Sequence, residues 1–383
     1  MRVHVVDPSA YTPPYDHALC AALAGAGAGV ELHTSRFAHG ELAPARGYER
    51  VEDFYRLAAR LRDPRARRAV KLAEHVPDML RYRRAACAAD VVHFQWLPVQ
   101  HLDGPLLPRA PALVLTAHDI LPREAGPGRR AAQRRLYRRF DAVVVHSQHG
   151  RARLVDELGV DGQRVHVIAH GVLAHLAGDA PGGEDAPGGE DRAARAGGPD
   201  EAAALPSETD APVVLCFGLM RPYKGIEVLL EAWRGIDGAE LWVVGAPRMD
   251  VAPLIASAPP GVRFVTRYVG ERELRACFRR ADVVVLPYRE IDQSGVLFTA
   301  LAFAKPLLLS DVGGFPEIAA TGAARTFPAG DAAALRSELA QLLGDPAARA
   351  QLGGRAAALA AGEYSWASVA RRTLALYERL LAA

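Results

Sequence analysis

The segment Phe217–Gly225 reads FGLMRPYKG and runs straight into IEVLLEAW. A short apolar strand ending in glycine, a loop bearing Arg221 and Lys224, and a helix start together suit an anion. Two fixed cations and the unpaired N–H groups of a first turn converge there. Only Lys71, Lys224 and Lys305 are lysine in a chain that otherwise draws its positive charge from arginine. A lysine kept at this point suggests that a compact point charge is wanted, as beside a diphosphate. Taken alone, the segment is equally compatible with a solvated basic loop.

A second constellation is Tyr288–Ala302, YREIDQSGVLFTALA, in which an apolar strand enters a polar turn and then an apolar helix. Ser294, Gly295 and Val296 fall at the first turn of that helix, where backbone N–H groups can meet a phosphate. Glu290 and Asp292 can accept hydrogen bonds from sugar hydroxyls; Gln293 and Thr299 flank them. An ordinary N-cap by Gln293 or Ser294 explains the same pattern. Ser310–Glu317, SDVGGFPE, adds paired glycines that permit close approach of backbone to a ligand, or a turn with positive φ.

In the first half, polar side chains gather where apolar runs stop: His93, Gln95 and Trp96; His118 and Asp119; His146 and Ser147; His170 and Gly171. Tyr15 and Asp16 follow the first run and open a helix. Four histidines along one sheet edge would line a single cleft. Their spacing matches no metal motif, so hydrogen bonding is expected of them, and no metal ligand is assigned.

These residues need elements to hold them. Arg2–Val6, Val30–Ser35, Asp90–Trp96, Ala112–His118, Asp141–Ser147 and Arg164–His170 are valine-rich runs spaced by helical patterns. Pro212–Gly218, Glu240–Gly245, Val262–Val269, Asp282–Tyr288 and Pro306–Asp311 repeat the arrangement. Continuous apolar runs separated by helices are the pattern of parallel strands buried on both faces. The expected fold class is α/β: two doubly wound, Rossmann-like domains with ligands at the carboxyl ends of their strands. Gly218, Gly245, Tyr268 and Val269 stand at such ends and join the candidate ligand-binding residues of the second half. The expected boundaries are 1–173, 174–211, 212–365 and 366–383. The second of these is an acidic spacer containing DAPGGE twice in tandem and few large apolar residues, composition that favours disorder. The last is an amphipathic helix that Ser365 can cap.

At 383 residues the length fits two domains, and half the residues are hydrophobic. The four cysteines are far apart, which excludes a zinc or redox CxxC pair and suits buried thiols in the cytoplasm. The net charge of +2 conceals a split. Residues 1–173 carry 25 basic and 18 acidic side chains, whereas residues 174–211 carry 2 and 9. Basic stretches at Arg56–Arg84 and Arg123–Arg139 suit an anionic acceptor or a membrane surface, and solvated helix faces account for them equally, acids being mixed into the first stretch. Without aromatic platforms or a recognition motif they do not indicate nucleic acid. No apolar run reaches the ~18 residues of a membrane span.

Together these motifs resemble glycosyltransferase family 4, the retaining nucleotide-sugar transferases of GT-B fold. The resemblance rests on LTAHD at Leu115–Asp119, HSQHGRARL at His146–Leu154, VIAHGV at Val167–Val172, FGLMRPYKG, the QSGV block, SDVGGFPE and the terminal YSW helix. It implies two domains facing a central cleft, with the last helix crossing back to the first domain. It implies that Arg221 and Lys224 bind the donor diphosphate, that Ser294–Val296 form the phosphate-binding helix start, and that His118, with Asp119 beside it, lies near the donor sugar. Tyr15, Asp16, His93, Gln95, Trp96 and His170 then fall on the acceptor side. Where the family usually carries two glutamates around this helix, the chain has Ile291 and Thr299, with Asp292 and Glu290 the neighbouring carboxylates.

The expected activity is metal-independent transfer from a UDP- or GDP-sugar, with no cofactor besides that co-substrate. The acceptor class stays open among a saccharide, a lipid-linked saccharide and a small molecule. The expected location is cytoplasmic, with peripheral membrane contact through the Arg-rich first domain. Rival readings are a non-catalytic sugar-nucleotide-binding subunit and a GT-B phosphorylase or epimerase.

Overall fold

The computed structural model describes residues 1–37, 42, 44–120, 127–177 and 209–382. The chain forms two compact units: Met1–Gly171 with Glu363–Ala383, and Val172–Gly362.

The first unit is built on a seven-stranded parallel sheet. Its strands are β1 (Arg2–Asp7), β2 (Gly29–Ser35), β3 (Glu49–Phe54), β4 (Val91–Phe94), β5 (Ala112–Thr116), β6 (Ala142–Val145) and β7 (Val165–Val167), in the order β3-β2-β1-β4-β5-β6-β7. The order reverses beside β1, so the carboxyl ends of β1 and β4 flank the switch point at which such sheets take ligands. One face packs Val6, Val92 and Phe94 against Met79 and Tyr82 of helix Pro64–Ala85. The other packs Val3, Val5 and Val114 against Leu19 and Leu23 of helix Pro13–Gly25 and against Val369, Leu376 and Tyr377 of helix Trp366–Ala382. The last helix therefore belongs to the core of the first unit. Ser365 accepts a hydrogen bond from the Ser368 N–H at its start.

The second unit holds a six-stranded parallel sheet: β8 (Val213–Phe217), β9 (Glu240–Val244), β10 (Val262–Val265), β11 (Val283–Leu286), β12 (Leu307–Ser310) and β13 (Ala324–Phe327), in the order β10-β9-β8-β11-β12-β13. Leu229, Trp233, Leu335 and Leu339 cover the face shown by Val214, Val243 and Val285. Two strands were not expected, β3 (ERVEDF) and β13 (ARTF). Each pairs on one side only at a sheet edge, where polar residues are tolerated and the apolar run is lost.

Cys20, Cys216 and Cys277 are buried, but Cys87 is exposed, contrary to expectation. No helix among the described residues is long and apolar enough to cross a membrane. Most of the acidic duplicated segment, with Arg123 and its neighbours, lies outside the described residues.

Candidate functional site

In the second unit the two principal motifs meet. β8 ends at Phe217, and Gly218 turns the chain with φ +106°. The loop then closes in a single 3-10 turn, Pro222–Lys224, before helix Ile226–Trp233. Gly225 makes that turn possible. Its φ of +63° is left-handed, and a Cβ there would collide with the Pro287 carbonyl. Lys224 is carried inward and is only 5% exposed. Its Nζ donates to the Phe217 carbonyl at 3.2 Å and to the Tyr288 hydroxyl at 2.9 Å. It also lies over the Tyr288 ring, 4.8 Å from the centroid.

The Tyr288 hydroxyl lies 3.4 Å from Ser294 Oγ, so ammonium, phenol and serine form a line from the FGLMRPYKG loop to helix Gly295–Ala302. Ser294 occupies the N-cap of that helix, yet its side chain caps no backbone N–H. The ordinary-cap reading of this motif therefore fails in the structure. A Cβ on Gly218 would stand 2.8 Å from Lys224 Nζ and 3.2 Å from Val296 Cγ2, so glycine is needed for these groups to approach. Arg221 is exposed on the same loop. Glu290 is exposed and Asp292 and Gln293 are half-buried on the turn before the helix. Arg289 pairs with Glu227, and its N–H donates to the Tyr223 carbonyl at 2.7 Å, which ties this turn to the loop.

Other expected donor residues have different employment. Thr299 is buried, and its hydroxyl donates to the Gly295 carbonyl at 2.9 Å within its own helix, so it presents no group to a ligand. Gly245 has φ +151°, and a Cβ there would strike the Gly218 carbonyl; glycine serves the packing of two strand ends. Gly313 (φ +59°) likewise makes room for the Ile291 carbonyl rather than for a ligand. Tyr268 is exposed while Val269 is buried.

In the first unit the strand ends build an aromatic and imidazole cluster around Tyr15, at the start of helix Pro13–Gly25. The Tyr15 ring lies 4.8 Å from His118, 5.8 Å from His146, 4.7 Å from His170 and 5.1 Å from Trp366, centroid to centroid. Trp96 stacks on His118 at 5.0 Å, and its indole N–H donates to Thr12 Oγ1 at 2.9 Å.

The hydrogen-bond polarity of this cluster follows from one carbonyl. His146 Nδ1 donates to the Ile168 carbonyl at 2.9 Å, which leaves Nε2 as an acceptor for His118 Nδ1 at 3.3 Å. His118 Nε2 must then accept, so the Gln95 amide, whose Oε1 stands 3.2 Å away while its NH2 is buried without a partner, has to be turned to present its NH2 there. The chain works only with neutral rings. Burial, followed by the charges of neighbouring histidines, lowers His118 well below its ordinary value, and burial lowers His146 to about 4. Burial and the adjoining His146 hold His170 at about 3.

His93 departs from the expected acceptor role. It is buried, accepting or donating at both nitrogens, 2.5 Å from the Tyr377 hydroxyl and 2.7 Å from Thr116 Oγ1. It ties the last helix to the sheet. Asp16, expected on the acceptor side, is also buried, and burial together with Asp7 raises it well above the usual carboxylate range. A proton shared with Asp7 follows, while Asp7 accepts the N–H groups of Ser9, Tyr11 and Thr12 and so shapes the loop. Asp119 is exposed beside His118. Tyr288, Trp366 and Lys71, which lies 4.7 Å from the Tyr55 ring centroid and 5.6 Å from that of Tyr11, were not singled out as site residues. For Tyr288, its place at a strand end was the available signal.

Two doubly wound parallel sheets, each with its polar residues at strand carboxyl ends, define the GT-B class of two Rossmann-like domains. Sucrose-phosphate synthase of Thermosynechococcus elongatus matches it with a TM-score of 0.73 at 21% identity, over 100% of this chain and 99% of that one. HepE of Anabaena, in complex with UDP-glucose, matches with a TM-score of 0.69 at 16% identity, over 99% and 100%.

Residues 15–174 match the family model Glycosyltransferase Family 4, and residues 211–345 match Glycosyl transferases group 1. The chain belongs to this glycosyltransferase family and is a glycosyltransferase. It is similar to D-inositol 3-phosphate glycosyltransferase of Kineococcus radiotolerans, 28% identical over 324 residues, covering 74% of this chain and 68% of that protein. A shorter stretch of 105 residues is 39% identical to GDP-mannose:glycolipid 4-beta-D-mannosyltransferase of Xanthomonas campestris pv. campestris, covering 25% of this chain and 29% of that protein.

Proposed function

We propose that the protein transfers a sugar from a UDP- or GDP-sugar to an acceptor hydroxyl with retention of anomeric configuration, using neither a divalent metal nor a further cofactor. The observation that carries this reading is the Lys224 ammonium, fixed by Phe217 and Tyr288 beside the first turn of helix Gly295–Ala302. Breaking the glycosidic bond places negative charge on the diphosphate. Preorganised donors at that point stabilise the transition state without reorganising. Lys224, Arg221 and the N–H groups of Gly295 and Val296 are assigned that task. Glu290, Asp292, Gln293 and Tyr268 are assigned the donor's hydroxyls and base.

The acceptor is assigned to the first unit, at Tyr15, Gln95, Trp96, His118, Asp119 and His170. The neutral rings offer aromatic faces to a sugar without adding charge. An anionic lipid surface is proposed to present that acceptor. On helix Pro64–Ala85, Leu72, Val76 and Leu80 form an exposed apolar stripe with exposed Arg65 and Arg68 near it.

The test is transfer from a panel of radiolabelled nucleotide sugars in buffer without magnesium or manganese. Arg221→Ala combined with Lys224→Met should lower turnover at least ~10²-fold, as loss of a positioned charge does elsewhere, with the circular dichroism spectrum unchanged. Near-normal turnover in the double variant would refute the site. A requirement for added magnesium would refute the metal-free mechanism. Donor binding without transfer to any acceptor would favour a binding subunit.

A further inference from the structure

A second group of chemically capable side chains lies away from the strand ends. His4 of β1 pairs in register with Glu31 of β2, and His33 follows two residues later on the same face. The parallel register thus brings together two imidazoles and a carboxylate that are far apart in the chain. One ligand atom from each of His4, Glu31 and His33 falls within 4.8 Å of the others.

The distances are those of groups around a shared cation rather than of groups bonded to each other. Glu31 Oε2 is 3.6 Å from His4 Nε2 and 3.4 Å from His33 Nε2. An N–H···O bond closes at about 2.7–3.2 Å. Two ligands about 2.0–2.1 Å from a tetrahedral ion stand about 3.4 Å apart. His4 and His33 are 1% and 3% exposed. Both nitrogens of His4 and the Nε2 of His33 are buried with no hydrogen-bond partner. Buried polar atoms of this kind cost about 1–3 kcal/mol each when nothing satisfies them.

The remaining nitrogen of His33 is already oriented. Its Nδ1 lies 3.2 Å from Asp53 Oδ2, so it donates there and leaves the Nε2 lone pair toward Glu31. A carboxylate behind a ligating imidazole is the usual means of fixing the tautomer at a metal site.

We propose that His4, Glu31 and His33 bind one divalent transition ion of the zinc class, with Asp53 as the positioning residue for His33. Two imidazoles and one carboxylate are a donor set for zinc, a fourth position being left for water. The role is structural: the ion staples β1 to β2 and, through Asp53, holds the edge strand β3 beneath helix Pro64–Ala85. It is separate from the strand-end residues assigned to transfer and does not depend on that assignment.

The test uses the full-length chain, stripped with a chelator and dialysed against buffered micromolar free zinc. Bound metal is measured by atomic emission, and stability by thermal melting. One equivalent of zinc and a rise in Tm are expected for the parent chain. Glu31→Gln and His33→Gln should retain no stoichiometric zinc and show no rise. Asp53→Asn should weaken binding about 10–100-fold. His118→Gln, in the other imidazole cluster, should bind as the parent does. Glu31 is one-third exposed, so its variant reports on binding even if His33→Gln folds poorly. Failure of the parent to retain zinc, or undiminished zinc in Glu31→Gln, would overturn the proposal.

Discussion

The neutral imidazole chain of the first unit makes stability depend on pH in a calculable way. His146 titrates at about 4 in the folded protein against 6.5 as its ordinary value. In the window between these values the unfolded chain binds a proton that the folded chain refuses. Stability from this group is complete above pH 6.5 and is lost as the pH falls toward 4. From pH 7 to pH 5 the loss amounts to about 2 kcal/mol for one such histidine. His93 and His170, both at about 3, act in the same direction. Asp7 and Asp16 act in the other, because burial raises them and the folded state keeps an additional proton. The total is therefore less informative than a difference. In His146→Gln, the fall in stability between pH 7 and pH 5 should be about 2 kcal/mol smaller than in the parent. Amide hydrogen exchange of β4, β5 and β6 under native conditions measures this for the first unit alone. Equal falls in the two proteins would mean that His146 is not held neutral by burial.

Tyr377→Phe removes the partner of a buried His93 nitrogen and should cost about 1–3 kcal/mol, read by urea unfolding, with turnover per folded molecule preserved. Gly171→Ala places a methyl group into the Trp366 indole and should increase hydrogen exchange in helix Trp366–Ala382. Gly225→Ala strains a left-handed position against the Pro287 carbonyl and should displace Lys224. A raised KM for the donor, larger than any change in Tm would explain, is the expected readout.

Strands buried on both faces were legible as valine-rich runs, and their carboxyl ends correctly located the polar clusters. β3 and β13 were not, because an edge strand with one solvated side carries no continuous apolar run. The FGLMRPYKG loop and the QSGV helix start could each be read, but not their connection through Tyr288. A phenol at a strand end has the same appearance whether it meets solvent or an ammonium. His93 shows the opposite failure: its position near a strand end suggested a ligand contact, and the last helix, 284 residues away, claims it instead. The His4–Glu31–His33 group left no motif, since a parallel register rather than chain spacing assembles it. The paired glycines of SDVGGFPE left two readings open, a ligand approach or a positive-φ turn, and Gly313 takes the turn, admitting the Ile291 carbonyl.

The helix Trp366–Ala382 has a consequence for synthesis. Val369, Leu376 and Tyr377 complete a hydrophobic face whose other members, from β1 and helix Pro13–Gly25, leave the ribosome well before them. The whole of Val172–Gly362 is made before that face can close. Vectorial folding, in which the leading domain matures first, is thus inverted here. The interrupting unit has all its strands in one continuous stretch, while the first unit waits, with apolar surface uncovered, for its returning helix. Chaperone occupancy during translation should concentrate on nascent chains longer than the first unit but short of its returning helix.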